Sequence, residues 1–282
     1  MEPLIFEKLR REVPNPRQIE FFRSEARYTA YGGARGGGKS WAMRRKMVML
    51  ALRHANLKLL LLRRTLQELR ENHVLPLQSE LAGYATYKKE ERSFLFPNGA
   101  RLTLGYCDCE GDLLQYQGAE YDVIGFEEAT HFKEEWIVFI STALRTTKKD
   151  FSPRIYFTCN PGGVGHAYIK RLFLDRVYRE GEEAENYRFI PALVYDNHVL
   201  MQTDPDYAKR LEALPIHKRR AHLYGDWNVY EGQVFEELRN EPAHYRDRCY
   251  THVIEPFAPP QDWRLYRSFD FGYAKPDRKS VV

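Results

Sequence analysis

Residues 33–40 read Gly33-Ala34-Arg35-Gly36-Gly37-Gly38-Lys39-Ser40, the spacing G-x-x-x-x-G-K-S. The octet follows a short β-prone run, Tyr28-Thr29-Ala30-Tyr31, and opens a helix predicted over 40–54. Glycines let the backbone from Gly33 through Ala34, Arg35, Gly36, Gly37 and Gly38 curl until successive N–H groups point inward at an anion. The helix N-terminus adds partial positive charge. In such a loop the lysine, Lys39, reaches the outer phosphates of a nucleotide, and Ser40 ligates Mg²⁺. Arg35 has two readings: it stabilises γ-phosphate charge in cis, or it forms a salt bridge that positions the loop.

A second constellation ends the apolar run Asp122-Val123-Ile124-Gly125-Phe126 in two acids, Glu127 and Glu128. Downstream of a phosphate loop such a pair divides labour. Glu127 holds Mg²⁺ through water, and Glu128 orients and deprotonates an attacking water. Aspartate is commoner at the first position, so Glu127 carries an extra methylene to be accommodated. The next predicted strand runs into Phe157-Thr158-Cys159-Asn160-Pro161-Gly162-Gly163. Asn160 there is either a sensor of γ-phosphate or the initiator of an Asn-Pro turn. Near the N-terminus, the Gln18 amide can both donate to and accept from an adenine edge.

These groups need a rigid frame. Strand and helix alternate: a buried strand over 57–62, a hairpin around Asn98-Gly99, a strand over 121–126, a helix over 134–145, a strand over 155–158 and a helix over 166–174. This is the pattern of a mainly parallel sheet with helices on both faces. Beyond about Val199 the pattern turns helical, with Pro215 as an interruption. The resulting division is an ATPase-type core over 1–200, a lid over 201–255, a linker over 256–262 and the beginning of another domain over 263–282. The chain has 282 residues, 43% hydrophobic and 29% charged, as in a globular protein. No apolar run approaches the length of a membrane span and the first residues do not read as a secretory signal. Four cysteines in a chain this size suggest reduced thiols in a cytosolic setting. Net charge is +4, but eight Lys/Arg against one acid lie between Trp41 and Arg70, and His217-Lys218-Arg219-Arg220 forms a second basic cluster, as for a polyanionic partner. His131 and His166 read as surface or packing residues.

The motifs in this order resemble the ATPase domain of the large terminase subunit, the DNA-packaging motor of tailed bacteriophages. The resemblance rests on Pro16-Arg17-Gln18, Gly32 to Ser40, Phe126-Glu127-Glu128-Ala129, Thr158-Cys159-Asn160-Pro161-Gly162, Leu223-Tyr224-Gly225-Asp226-Trp227, Glu231-Gly232 and Phe235. It resumes at Phe269-Asp270-Phe271-Gly272-Tyr273, which is similar to the first motif of the family's RNase H-like nuclease.

The resemblance implies a P-loop NTPase of the ASCE type, with an extra strand between the loop strand and the acidic strand, plus a lid subdomain and a truncated nuclease start. It implies ATP and Mg²⁺ as cofactors. Gln18 becomes the adenine reader, Glu128 the base, Thr158 to Asn160 the coupling motif and Asp270 a metal ligand of the nuclease, whose other acids are expected beyond Val282, so no nuclease activity is expected. The implied partners are double-stranded DNA, the portal protein and procapsid, the small terminase subunit and further copies in a pentameric ring, with no membrane, in the host cytoplasm and transiently docked on the procapsid. Many family members carry a trans-acting arginine in a Tyr-Arg-Gly context. This sequence reads Tyr116-Gln117-Gly118 there, and Arg145 is the first substitute, ahead of Arg101 and Arg154. Two other functions compete: a P-loop helicase or nucleic-acid remodeller, and a nucleotide-binding ring scaffold without useful hydrolysis.

Overall fold

The computed structural model describes residues 13–229, 242–248, 251–264, 266–270 and 277–281. The chain divides into two compact units, 1–233 and 234–282. In the first unit, α1 (Pro16–Arg23) precedes β1 (Tyr28–Gly33), α2 (Lys39–Arg53), β2 (Lys58–Arg63), α3 (Leu66–Leu69) and α4 (Leu75–Glu80). Then come β3 (Thr86–Lys88), β4 (Ser93–Leu95), β5 (Arg101–Tyr106), β6 (Val123–Phe126), α5 (Glu134–Ser141), β7 (Arg154–Cys159), α6 (His166–Phe173) and β8 (Tyr187–Ala192). Three helices follow, α7 (His198–Thr203), α8 (Asp206–Glu212) and α9 (Ile216–Leu223).

The sheet order is β3-β4-β5-β2-β6-β7-β1-β8. From β5 to β8 every neighbour is parallel, and β3 and β4 add an antiparallel edge. β7 therefore lies between the loop strand β1 and the acidic strand β6, as the resemblance implies. The leucine run of β2 explains its own burial. Leu59 and Leu61 enter a cluster with Met43, Met47 and Tyr156, while Leu60 and Leu62 enter another with Ile124, Phe126 and Phe157. A strand covered on both faces needs an apolar residue at every position.

The register sets the site. Leu62 pairs with Phe126 and Phe126 with Phe157. The next residue of each strand, Arg63, Glu127 and Thr158, therefore stand abreast at the C-terminal edge of the sheet. Thr158 in turn pairs with Tyr31, two residues before Gly33.

Two elements depart from expectation. The helix predicted over 134–145 ends at Ser141, giving about 12 Å of helix rather than about 18 Å. The Ser141 hydroxyl donates back to Ile137 O at 2.6 Å and that of Thr142 to Phe139 O at 2.7 Å, offering local alternatives to helical propagation. The backbone then turns extended, and Arg145 N donates to Tyr121 O at 3.0 Å. The second departure is β8, an edge strand whose Pro191 obscures the strand pattern; an edge tolerates the missing N–H.

In the second unit, β9 (Tyr266–Asp270) pairs antiparallel with β10 (Asp277–Val281), placing Asp270 opposite Asp277 in register. Phe271, Gly272 and Tyr273 of the nuclease-like motif lie outside the described residues, as do Glu231, Gly232 and Phe235.

At the opposite edge of the main sheet, Asp122 is 2% exposed. Its Oδ2 accepts from Lys58 N and from Lys148 Nζ, both at 2.8 Å. Asp122→Ala leaves the Lys58 N–H partly buried and unpaired, and is expected to cost about 1–2 kcal/mol in urea unfolding. A loss near zero would show that the clamp does not hold the base of β2.

Candidate nucleotide-binding and catalytic site

The turn between β1 and α2 is built by left-handed glycines. Gly36 has φ +77° and Gly38 φ +73°. At Gly38 a Cβ would stand 2.6 Å from Gln18 Nε2, and at Gly32 a Cβ would stand 2.3 Å from Cys159 Sγ. Burial pushes the Cys159 thiol up to about 12, so it serves as a small neutral filler beneath the loop. Ala34 N donates to Ala192 O at 2.8 Å and Arg35 N to His222 O at 2.7 Å. Among the described residues, the N–H groups of Gly36, Gly37 and Gly38 have no acceptor, which fits an anion cradle.

Lys39 is 8% exposed, and its ammonium donates to Ala34 O across the loop. Burial depresses its pKa, while the nearby Cys159, Glu128 and Glu127 oppose that shift. Ser40 Oγ donates to Glu127 Oε1 at 2.5 Å. Glu127, 1% exposed, also accepts from Thr158 Oγ1 at 2.7 Å and from Arg63 Nη1 at 3.2 Å. A hydroxyl and a carboxylate converging beside a phosphate cradle are hard oxygen donors, the set that suits Mg²⁺.

Glu128 has φ +51° and ψ +57°, a left-handed conformation uncommon for glutamate. Its N–H donates to Thr158 Oγ1 at 3.0 Å, so one hydroxyl serves both acids. Its carboxylate lies between Arg63 Nη2, 3.6 Å from Oε1, and His131 Nε2, 3.2 Å from Oε2. Arg63 also meets Glu68 at 3.5 Å. The Thr65-Leu66-Gln67-Glu68 capping box of α3 is thus half used: Thr65 Oγ1 accepts from Glu68 N at 3.3 Å, while the Glu68 carboxylate faces Arg63.

Asn160 Oδ1 is buried without a hydrogen-bond partner among the described residues, and its carbonyl accepts from Thr130 Oγ1 at 3.0 Å. Gln18 is the N3 member of a capping box. Its Oε1 accepts from Asn15 N at 2.9 Å and its Nε2 donates to Gly38 O at 3.3 Å. The amide thus touches the loop and keeps one N–H and one lone pair for a ligand. The Arg35 side chain is exposed and has no ion-pair partner among the described residues, which leaves the salt-bridge reading unsupported. Arg145 stands at the far edge of the sheet, paired with Glu120 at 3.0 Å and donating to Gly118 O at 3.3 Å. The first basic cluster is largely consumed by the fold: Arg44 and Arg45 meet Glu80, Lys46 is 3% exposed and Arg63 is in the site.

The sequence does not mark Arg63 as part of the site, and it reads His131, which is exposed here, as a surface or packing residue. Arg63 ends a buried strand beside the acidic strand, a signal legible once β2 and β6 are known to pair. His131 has no such signal, because the left-handed turn at Glu128 brings it round.

Gly225 brings the chain after α9 against the loop, while Asp226 ties it to α9 and Trp227 to α6. A Cβ on Gly225 would lie 3.0 Å from Gly33 Cα. Asp226 accepts from Arg220 at 2.5 and 2.9 Å, and Trp227 packs on His166 with ring centroids 5.2 Å apart. His166 Nδ1 accepts from Gly162 N at 2.9 Å and its Nε2 lies 3.1 Å from Trp227 O. Burial holds the imidazole below the usual histidine value of 6.5. As pH falls through that value the unfolded chain takes up the proton first, so stability present above it is lost in acid. The stability advantage of wild type over His166→Gln is expected to shrink between about pH 7.5 and about pH 5.5 in denaturant titrations. An advantage equal at both would contradict the neutral, bridging imidazole.

Comparison with known proteins now bears on this geometry. The family model "Terminase large subunit, T4likevirus-type, N-terminal" matches residues 30–239. No curated protein matches. The large terminase of a thermophilic bacteriophage is similar in structure, with TM-score 0.66 and 18% identity over 93% of this chain and 63% of that one. The large terminase ATPase domain of Thermus phage P74-26 has TM-score 0.53 and 16% identity over 78% of this chain and 95% of that one. The present chain thus spans less than two thirds of the length of the thermophilic phage's terminase. With its phosphate loop, paired acids and loop-bound helices matched by the family model, this chain belongs to the terminase large subunit family.

Proposed function

We propose that this chain is the Mg²⁺-dependent ATPase of a viral DNA-packaging motor. The observation that carries this reading is the junction of Ser40, Glu127, Thr158 and Glu128 beside a glycine cradle with unengaged N–H groups. The similar terminase of the thermophilic bacteriophage was crystallised with ADP and with ATP-gamma-S, which supports the same ligand class. The loop from Gly33 to Ser40 would bind the phosphates, with Lys39 and exposed Arg35 offsetting their charge. Gln18 would meet the base, and Asn160 would register the γ-phosphate. Ser40 and Glu127 would hold the cation, which supplies charge neutralisation at the phosphates. Glu128, its backbone fixed by Thr158, would orient the attacking water and accept its proton.

The helicase and scaffold alternatives are disfavoured by the family membership and by the complete acid pair, respectively. Double-stranded DNA, a procapsid with its portal, a small subunit and further copies in a ring are the proposed partners, acting in the host cytoplasm. Exposed Lys218 on α9 is available to DNA phosphates. Asp270 is the proposed first metal ligand of a nuclease fold.

The test is ATP turnover. Lys39→Ala is expected to abolish it. Glu128→Gln is expected to bind ATP yet lose about 10²–10⁴ in rate, because an amide cannot take the water's proton. Undiminished hydrolysis by Glu128→Gln would refute the assignment of the base.

Arg145 remains the proposed trans-acting arginine. Its guanidinium donates to Gly118 O, next to Gln117, the position where the resemblance puts that arginine. Arg145→Ala is expected to keep ATP binding and lose assembly-stimulated hydrolysis, and mixing it with Glu128→Gln is expected to restore part of the rate. Normal hydrolysis by Arg145→Ala would move the role to another residue.

A further inference from the structure

The Glu128 carboxylate has one oxygen turned to the interior and one turned outward. Oε1 faces Arg63, whose side chain is 9% exposed. Oε2 faces His131 Nε2 at 3.2 Å, and the His131 side chain is 43% exposed against 25% for Glu128. A carboxylate that accepts a proton in every turnover must lose it before the next. On the inner side the neighbour is a guanidinium, which is always protonated and cannot take another proton. On the outer side is an imidazole, whose two ring nitrogens let it accept a proton at one and release a proton from the other.

The surroundings leave His131 few other roles. Its neighbours are Glu128 on its own turn, Arg64 just beyond β2, whose guanidinium lies 3.5 Å from the His131 carbonyl, and the backbone around Gly163 after β7. Arg64 is itself engaged by Asp108 at 2.7 and 3.3 Å and lies over Trp136. Glu128 is thus the carboxylate that meets the His131 ring.

We propose that His131 carries the proton from Glu128 to solvent, an inference that rests on Glu128 being the base. The water oxygen bonds to the γ-phosphorus as the bond from that phosphorus to the bridging oxygen breaks, the electron pair leaving with ADP. The water's proton passes to Glu128 Oε2 and then to the lone pair of His131 Nε2. The resulting imidazolium releases its Nδ1 proton to bulk water, which restores Glu128 and leaves the ring protonated at Nε2; exchange of ring protons with solvent then returns the Nδ1–H tautomer for the next turnover. His131 acts through Glu128 and does not touch the nucleotide.

The experiment compares ATP hydrolysis by the full chain with Ala and Gln at residue 131. Glutamine keeps a polar side chain of similar reach beside Glu128 but cannot carry a proton. Both His131→Ala and His131→Gln are expected to lose about tenfold or more in rate. Added imidazole is expected to restore His131→Ala, with more basic substituted imidazoles restoring it further. Wild-type rates in His131→Gln, or a His131→Ala rate that no imidazole changes, would overturn the proposal. Glu128→Gln in parallel separates the two readings. Hydrolysis by that variant overturns the base and this hand-off together, whereas an inactive Glu128→Gln with a fully active His131→Gln overturns the hand-off alone. Independently of turnover, the ¹⁵N resonances of the His131 ring are expected to move in Glu128→Gln, and unchanged resonances would overturn the contact itself.

Discussion

A carboxylate buried to 1% exposure at the end of an apolar strand is costly unless every lone pair is answered, and Glu127 is where this site meets that demand. Ser40 answers from the start of α2, Thr158 from the end of β7 and Arg63 from the end of β2. Those three elements are therefore fixed relative to β6 by one side chain. The extra methylene of glutamate over aspartate is absorbed in this reach to three partners. Withdrawing any one of them leaves a buried charge undersatisfied, so the loop helix and two neighbouring strands are positioned together.

The same arrangement shows why the second acid behaves differently. Glu128 sits one residue later, in a left-handed turn that takes its side chain out of the sheet and towards solvent. Its backbone is held by the Thr158 hydroxyl that also serves Glu127. Adjacent residues are thus split into a rigid, charge-bound carboxylate and a partly exposed one with room to exchange protons. The two carboxylates are separated by the left-handed backbone at Glu128 and not by distance along the chain.

Much of this was legible in the sequence. The glycine spacing fixed the loop, the leucine run of β2 its burial on both faces, and the acids after Phe126 the edge of the sheet where chemistry gathers. Parallel order also followed from alternation. What was not legible depends on register and on side-chain competition. Arg63 joins the site only because β2 pairs with β6 at Leu62 and Phe126. His131 does so only because Glu128 adopts positive φ. The helix after Lys133 stops short because hydroxyls at Ser141 and Thr142 turn back on their own backbone, a choice that apolar periodicity does not record. Gln18 reads as an amide that can meet a base edge, but its spacing does not show that half of it is bound within its own helix cap and to the loop.

The seam between the loop and the α7–α9 helices includes two close main-chain approaches, Arg35 N on His222 O and Gly225 against Gly33, beside the Asn197 amide on Gly36 O. The two main-chain contacts carry no side-chain identity beyond the glycines that permit the approach. Substitution on the exposed face of α9 leaves those two contacts in place, so the outer surface of the helices can be altered without removing their main-chain attachment to the loop.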